Sequence, residues 1–274
     1  MLLGWNGASS MKADLETDIE IARRAGFPLL EIWGAKLRHY LQRHTVVELA
    51  DRFKESGVKP LSINSVDKAT FSGKDWDNVE RTFRDFASVA GQIGCESIVV
   101  VPGKRPPGVT DSEVKEETVS VLEAFGDIAA IHDVKIAFEF LGFPTCSVRT
   151  LEKAWEIVVE VDRPDVGLVL DSFHFHVGGS QLISLRRIDS AKLFIFHIND
   201  CEDRPAAQLQ DAHRLLPGAG VLPLKRIVEE LKSIGYDRLA SIEIFRPEYW
   251  ERDPFEFAIA AKAAAEKALG LTKS

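Results

Sequence analysis

The sequence predicts one α/β domain of the (β/α)8 TIM-barrel class, spanning residues 1–274. Three observations predict this class. Eight short apolar runs alternate with segments of helical periodicity, no Pro/Gly/Ser-rich linker divides the chain, and polar residues stand at the ends of the runs. A doubly wound open sheet is the competing class, and it requires a Gly-rich phosphate loop after its first strand. The first run here is instead followed by Asn6-Gly7-Ala8-Ser9-Ser10.

The apolar runs have the composition of parallel strands that are buried on both faces. Several of them follow a glycine that can end a helix in the left-handed conformation, such as Gly26, Gly57, Gly94 and Gly235. The predicted strands are Leu2–Trp5, Leu29–Trp33, Pro60–Ile63, Ile98–Val101, Ile136–Phe140, Val166–Leu170, Leu193–Phe196 and Leu239–Phe245.

Helical periodicity fills the segments between the strands. Apolar residues recur at steps of three and four over 76–93, 114–128 and 224–234, which predicts amphipathic helices there. The pattern Thr-x-x-Glu occurs at residues 45–48 and 110–113 and matches the capping box that starts helices.

Composition restricts the class of function. The 274 residues carry 34 basic and 42 acidic side chains, a net charge of −8, and 45% of them are hydrophobic, as in soluble globular proteins. Nucleic acid is therefore a poor partner, and no apolar run approaches the roughly 20 residues of a membrane helix. The N-terminus lacks the features of a signal peptide. Cys95, Cys146 and Cys201 form no C-x-x-C pair, which favours a cytoplasmic protein without disulfides.

Polar side chains stand at the carboxyl ends of the predicted strands, the face on which TIM barrels have their active sites. The last four strands deliver one candidate each, namely Glu139, Asp171, His197 and Glu243. The first three strands contribute candidate substrate contacts, namely Asn6, Glu31, Asn64 and the aromatic Trp33. For Trp33, plain packing is an equal alternative.

The four late candidates predict a metal site. Because side chains alternate along a strand, an inward Glu139 places Ala137 inward as well, and small or branched residues occupy the equivalent positions of the next strands. Three converging carboxylates repel one another unless a cation holds them. Three oxygen ligands and one imidazole suit one divalent ion such as Mn²⁺, Zn²⁺, Co²⁺ or Mg²⁺. The alternative is that each residue separately binds loop backbone.

Longer motifs surround these residues: Ile136-Ala137-Phe138-Glu139-Phe140-Leu141-Gly142, Asp171-Ser172-Phe173-His174-Phe175-His176, His197-Ile198-Asn199-Asp200, Arg214-Leu215-Leu216-Pro217-Gly218-Ala219-Gly220 and Glu243-Ile244-Phe245-Arg246-Pro247-Glu248-Tyr249. With these motifs the chain resembles, essentially end to end, the sugar-phosphate isomerase/epimerase superfamily of xylose isomerase-like barrels. Within it, the chain is most similar to the bacterial inosose isomerases of inositol catabolism.

The resemblance implies roles for individual residues. Glu139, Asp171, His197 and Glu243 would be the metal ligands, while His174 and Arg214 would contact substrate. Two departures limit the alternatives. Related ketose 3-epimerases have an arginine six residues after the histidine ligand, where this chain has Asp203. Endonuclease IV, an enzyme of the same superfamily, uses extra early histidines, and only Asp211-x-His213 faintly resembles one of its zinc pairs.

The expected activity is a metal-dependent isomerisation that moves the carbonyl of a keto-inositol (inosose) or similar α-hydroxyketone through a cis-enediolate, with Glu139 or Glu243 as general base. Epimerisation by deprotonation and reprotonation at one carbon is the enzymatic alternative, and a metal-containing sugar-binding protein is the non-enzymatic one. The expected partner is a small polyol or sugar ketone. A homodimer is possible.

Overall fold

The computed structural model describes residues 1–271, and its centre is a closed barrel of parallel strands. The strands in chain order are β1 (Leu2–Asn6), β2 (Leu29–Trp33), β3 (Lys59–Val66), β4 (Ser97–Val100), β5 (Lys135–Glu139), β6 (Val166–Asp171), β7 (Leu193–Ile198), β8 (Asp200–Cys201), β9 (Arg214–Leu215) and β10 (Leu239–Ile242). Eight of them close the barrel in the order β1-β10-β7-β6-β5-β4-β3-β2. This arrangement confirms the predicted TIM-barrel class.

Helices connect the barrel strands on the outside. They are α1 (Leu15–Ala25), α2 (Gly34–Tyr40), α3 (Val46–Ser56), α4 (Trp76–Ile93), α5 (Asp111–Ile131), α6 (Leu151–Val161), α7 (Ser172–Gly178), α8 (Leu224–Ser233), α9 (Pro247–Trp250) and α10 (Pro254–Leu269). Both predicted capping boxes form, at the starts of α3 and α5. Gly26, Gly57 and Gly94 end α1, α3 and α4 in the left-handed conformation, as their positions predicted.

Two apolar clusters separate the inside of the barrel from the layer between strands and helices. The larger cluster contains helix residues together with Phe138, Phe196 and Ile242 of the strands. The smaller cluster consists mainly of strand residues, among them Ala137, Val169 and Ile195, and it fills the barrel interior. Side-chain alternation therefore directs Glu139, two residues after Ala137, toward the same interior.

Several strand ends differ from prediction by one or two residues, and three differences are more substantial. The last barrel strand ends at Ile242, not at Phe245, so Glu243 follows β10 instead of lying inside it. The third strand is longer than predicted and continues to Val66. The antiparallel hairpin of β8 and β9 was not predicted, because two-residue strands have no detectable periodicity.

A buried ion pair supports the loop that follows β1. Lys36 Nζ donates to both carboxylate oxygens of Asp18, at 2.9 and 2.7 Å, and to the backbone oxygens of Gly7 and Ser10. Burial raises the pKa of Asp18 to about 7, against the charge of Lys36, which lowers it. This network fixes the short 3-10 helix Gly7–Ser10 directly behind Asn6.

None of the helices within residues 1–271 combines the length and apolarity needed to cross a membrane. All three cysteines are buried and unpaired.

Candidate metal centre

Four side chains meet at the carboxyl end of the barrel, each from a different neighbouring strand. Glu139 is the last residue of β5, Asp171 is the last residue of β6, His197 lies near the end of β7, and Glu243 directly follows β10. One ligand atom from each lies within 4.8 Å of the others, and all four side chains are buried. The barrel thus gathers four groups whose successive members stand 26 to 46 residues apart in sequence, as predicted.

His197 is the centre of this cluster. Its Nδ1 lies 3.0 Å from Oε1 of Glu139 and 3.3 Å from Oε2 of Glu243. Its Nε2 lies 2.9 Å from Oε1 of Glu31, on the opposite side of the ring. The imidazole is therefore placed among three carboxylates. Because Nδ1 faces the other candidate ligands, Nδ1 is the nitrogen positioned to bind a metal.

Asp171 is held from two sides. Arg214 Nη1 donates to its Oδ2 at 2.6 Å, and Asn199 Nδ2 donates to the same oxygen at 2.7 Å. Its other oxygen accepts from the backbone N–H of His174 and thereby caps α7. Such a capping contact follows from a carboxylate at the end of a strand that leads directly into a helix.

Glu243 is tied to the first half of the chain. Its Oε1 accepts from Asn6 Nδ2 at 3.1 Å and from Asn64 Nδ2 at 2.8 Å. Asn6 Nδ2 also lies 3.1 Å from Oε1 of Glu31. The two predicted asparagines therefore lie at the site, in contact with a candidate ligand.

Burial and neighbouring charges shift the pKa values of the clustered groups in different directions. Burial raises the pKa of Glu139 to about 8, and the charges of Glu243 and Asp171 act in the same direction. Burial is also the largest single influence on Asp171 and opposes its ionisation, but Arg214, His174 and His197 together outweigh it and lower the pKa to about 2. Burial disfavours the charged form of His197, yet Glu243, Glu31 and Glu139 raise its pKa well above the ordinary value. The cluster thus holds protons that a cation would displace.

His174 lies beside the cluster and faces hydrogen-bond donors at both ring nitrogens. Nδ1 accepts from the backbone N–H of Gly142 at 3.3 Å, and Nε2 lies 3.1 Å from Arg214 Nη2. Burial lowers the pKa of His174, although the charge of Asp171 acts against this. A neutral imidazole carries its proton on one nitrogen only. One of the two contacts therefore leaves an N–H facing a donor.

Arg214 is buried between aromatic rings. Its guanidinium carbon lies 4.7 Å from the ring centroid of Phe173 and 5.3 Å from that of Phe245. Trp33 packs edge-on against Phe245, with ring centroids 5.5 Å apart. These contacts fix the guanidinium, while Trp33 stays partly exposed beside the site.

The donor set suits a divalent cation. Three carboxylates and an imidazole converge in a buried space, and burying like charges together is unfavourable without a cation. Oxygen and imidazole ligands without thiolates match Zn²⁺, Mn²⁺, Co²⁺ or Mg²⁺. The described residues therefore fit a resident metal.

Of the predicted substrate contacts, Asn6, Asn64, His174 and Arg214 surround the candidate ligands. Glu31 faces Nε2 of His197 and, like Asn6 and Arg214, has no exposed surface. No role was predicted for Asn199, Ser62 or the Asp18–Lys36 pair. Asn199 stands two residues after His197 and was detectable from strand alternation. The pair gave no signal, because its partners meet only in the fold.

Comparison with known proteins gives a consistent result. A sequence profile described as xylose isomerase-like TIM barrel matches residues 19–273. An inosose isomerase of Bacillus velezensis is 36% identical over 271 residues, covering 97% of this chain and 96% of that protein. An inosose isomerase of Bacillus subtilis is 38% identical over 256 residues, covering 92% of this chain and 91% of that protein. The crystal structure of the IolI protein with a zinc atom superposes with a TM-score of 0.96 at 36% identity, covering all of both chains.

Proposed function

The chain belongs to the xylose isomerase-like TIM barrel family, and on that basis we propose that it is a metal-dependent isomerase of keto-inositols. The reaction moves the carbonyl group of an inosose to the neighbouring carbon. The observation that carries this proposal is the convergence of Glu139, Asp171, His197 and Glu243 in a chain that matches inosose isomerases over nearly its whole length.

The proposed metal ligands are one carboxylate oxygen each of Glu139, Asp171 and Glu243 together with Nδ1 of His197. Zinc is the first ion to test, because a relative of 36% identity has been crystallised with it, and Mn²⁺, Co²⁺ and Mg²⁺ are the comparisons. When bound, such an ion supplies Lewis acidity toward the oxygens of an α-hydroxyketone.

Glu139 is the better placed general base. Oε1 of Glu243 already accepts hydrogen bonds from Asn6 and Asn64, so the lone pairs of that oxygen are engaged. Glu139 contacts His197 through Oε1, and no amide side chain within residues 1–271 donates to it. We therefore assign to Glu139 the removal of the proton from the hydroxyl-bearing carbon and the delivery of a solvent-exchangeable proton to the former carbonyl carbon.

We assign the proton transfer between the substrate oxygens to His174 and their orientation to Arg214. A carbonyl that moves by one carbon requires one substrate oxygen to lose a proton and the other to gain one. The lowered pKa keeps His174 neutral near pH 7, so one ring nitrogen is able to accept and return that proton. Arg214, fixed between Phe173 and Phe245, orients the substrate oxygens by charge-assisted hydrogen bonds.

Epimerisation remains the competing reaction, since it needs an acid or base on each face of the substrate and two glutamates are present. One observation disfavours it. The position six residues after His197 is Asp203, which is exposed, and the adjacent Arg204 pairs with Glu202 at the surface. The loop therefore brings no arginine to the site at that position.

The proposal also specifies the substrate, the cellular compartment and the oligomeric state. The proposed substrate is a six-carbon ring ketone of inositol catabolism, in agreement with the inosose isomerase relatives. The proposed enzyme has one domain and is cytoplasmic, which agrees with its unpaired cysteines. The homodimer stays a prediction, to be tested by analytical ultracentrifugation.

Proton NMR of inosose turnover in D2O tests the function. The zinc-loaded protein is incubated with inososes and, separately, with ketohexoses, and deuterium in the product is measured. We expect a shifted carbonyl and deuterium at the former carbonyl carbon with inosose. Inversion at one carbon without carbonyl movement would establish epimerisation, and binding without turnover would establish a binding protein.

A further inference from the structure

Glu31 is a buried carboxylate beneath the candidate metal centre. Its side chain has no exposed surface, and it lies in the middle of β2 with its carboxylate inside the barrel. Oε1 accepts from Asn6 Nδ2 at 3.1 Å, and Oε2 accepts from the hydroxyl of Ser62. Two donors thus enclose this carboxylate, and the substrate contact that the sequence suggested for Glu31 stays a prediction.

The basic group that faces Glu31 is His197. Nε2 of His197 lies 2.9 Å from Oε1 of Glu31, on the ring edge that points away from Glu139 and Glu243. The two atoms are close, but their angles are not those of a regular hydrogen bond. No other acceptor among residues 1–271 bonds to this buried nitrogen. Asn6 and Ser62 donate to Glu31 but bring no charge to it, and a buried charge is unfavourable without a further partner, which an N–H on Nε2 supplies.

We propose that Glu31 is a positioning residue of the metal centre, which keeps a proton on Nε2 of His197 so that the lone pair of Nδ1 faces the metal. This inference rests on the proposed function and adds a residue to it. A histidine that binds a metal through one nitrogen generally donates the other N–H to a carboxylate or carbonyl, and loss of that acceptor weakens metal binding by about 10- to 100-fold.

Asn6 extends this arrangement. Its single side-chain nitrogen lies 3.1 Å from both Glu31 Oε1 and Glu243 Oε1. The carboxylate below the histidine and a carboxylate ligand beside it are thus held by one amide group. The backbone N–H of Ala8 donates to Oδ1 of this amide, and Lys36 supports the same loop through the backbone oxygens of Gly7 and Ser10.

The wild-type protein provides the first test. In protein labelled with 15N-histidine and loaded with 113Cd, the nitrogen of His197 that is coupled to cadmium is identified, with assignment by the signal lost in His197→Gln. We expect cadmium coupling at Nδ1 and a directly bonded proton at Nε2. Cadmium coupling at Nε2 would overturn the proposal, and this measurement requires no change at Glu31.

Glu31→Gln provides the second test. We expect the Nε2 proton signal to shift upfield, because its acceptor has lost its charge, and the dissociation constant for zinc to rise about 10- to 100-fold. With saturating zinc, kcat should fall while KM stays within about twofold, since a positioning residue acts through His197 and not on the substrate. A raised KM with unchanged zinc affinity would support the substrate-contact role instead. Unchanged zinc affinity and an unchanged Nε2 signal would exclude any role of Glu31 at the centre.

Glu96→Gln is the matched control, because it removes the same charge from an exposed position outside the site. Glu31→Asp is the second variant if Glu31→Gln does not fold, and it should weaken zinc binding by withdrawing the carboxylate from Nε2. The outcomes separate the two proposals. Zinc on Nδ1 without inosose turnover removes the proposed function alone, whereas turnover with the metal on Nε2 removes the role of Glu31 alone.

Discussion

Arg214 Nη1 lies 2.6 Å from Oδ2 of Asp171, and neither side chain is exposed to solvent. The guanidinium is also 3.4 Å from Oε2 of Glu243. A side chain expected to contact substrate thus pairs with two candidate metal ligands. Its charge compensates part of the negative charge that the ligands bring into the barrel, so Arg214 links the stability of the fold to the chemistry of the site.

Arg214→Met tests this link. In chelator, the substitution leaves Asp171 buried without its ionic partner, and we expect a loss of about 3–5 kcal/mol in the free energy of unfolding by urea. With excess zinc the loss should be clearly smaller, because the ion compensates the same carboxylate. Arg204→Met, at an exposed arginine of the same loop, is the control. Equal losses with and without zinc would contradict the assignment of Asp171 as a ligand.

Metal binding should release protons. In the metal-free protein at pH 7, the raised pKa values keep Glu139, with a pKa of about 8, mostly protonated and His197 charged. A cation binds only their deprotonated forms, so affinity should rise as pH increases from 6 to 8. Calorimetry in two buffers of different ionisation enthalpy measures the protons released. A binding enthalpy independent of buffer would show that the cluster is already deprotonated.

Substitution of Glu139 and of Glu243 should affect deuterium exchange into the substrate differently. Glu139→Gln and Glu243→Gln are both expected to weaken zinc binding and to lower turnover by several orders of magnitude. With saturating zinc, deuterium exchange into the substrate should remain absent in Glu139→Gln, because the base is lost, and should recover in part in Glu243→Gln. General acid–base catalysis contributes about 10²- to 10⁴-fold, which sets the size of the difference. Glu248→Gln, at an exposed glutamate close in sequence, is the control. The opposite pattern of recovery would identify Glu243 as the base.

Asp200 should hold the loop that carries Arg214. Its carboxylate accepts from the backbone N–H groups of Cys201, Gly218 and Leu222 at 2.8 to 3.0 Å. Asp200→Ala leaves these donors unpaired, and we expect a loss of about 1–3 kcal/mol in stability. Hydrogen–deuterium exchange should accelerate over residues 214–222, and KM should rise because Arg214 is less well fixed. Asp203→Ala, at an exposed position of the same loop, should change neither quantity.

The barrel was predictable because its signals are local. Gly26, Gly57 and Gly94 end helices where only a left-handed residue fits, and the capping boxes at 45–48 and 110–113 start them. Strand alternation was sufficient to place Ala137, Val169 and Ile195 inside the barrel. The gathering of Glu139, Asp171, His197 and Glu243 then follows from the closed order of the strands.

The remaining features depend on contacts that no local pattern encodes. Glu31 and His197 lie on strands that are not neighbours in the barrel, and Lys36 is buried through a partner 18 residues away. Glu243 was placed within a strand because the apolar residues around it continue the pattern, although strand pairing ends at Ile242. Burial of a charged side chain depends on its partner in space, and that partner appears only in the folded chain.

The proposed ligands all lie between residues 139 and 243, whereas Asn6, Glu31 and Asn64, which contact them, lie in the first 64 residues. The two halves of the chain meet where β1 pairs with β10 and where β4 pairs with β5. A fragment comprising only the second half would contain every coordinating group but none of these three orienting partners. Full zinc affinity should therefore appear only when both fragments are recombined, which makes ion uptake a direct readout of how the two half-barrels assemble.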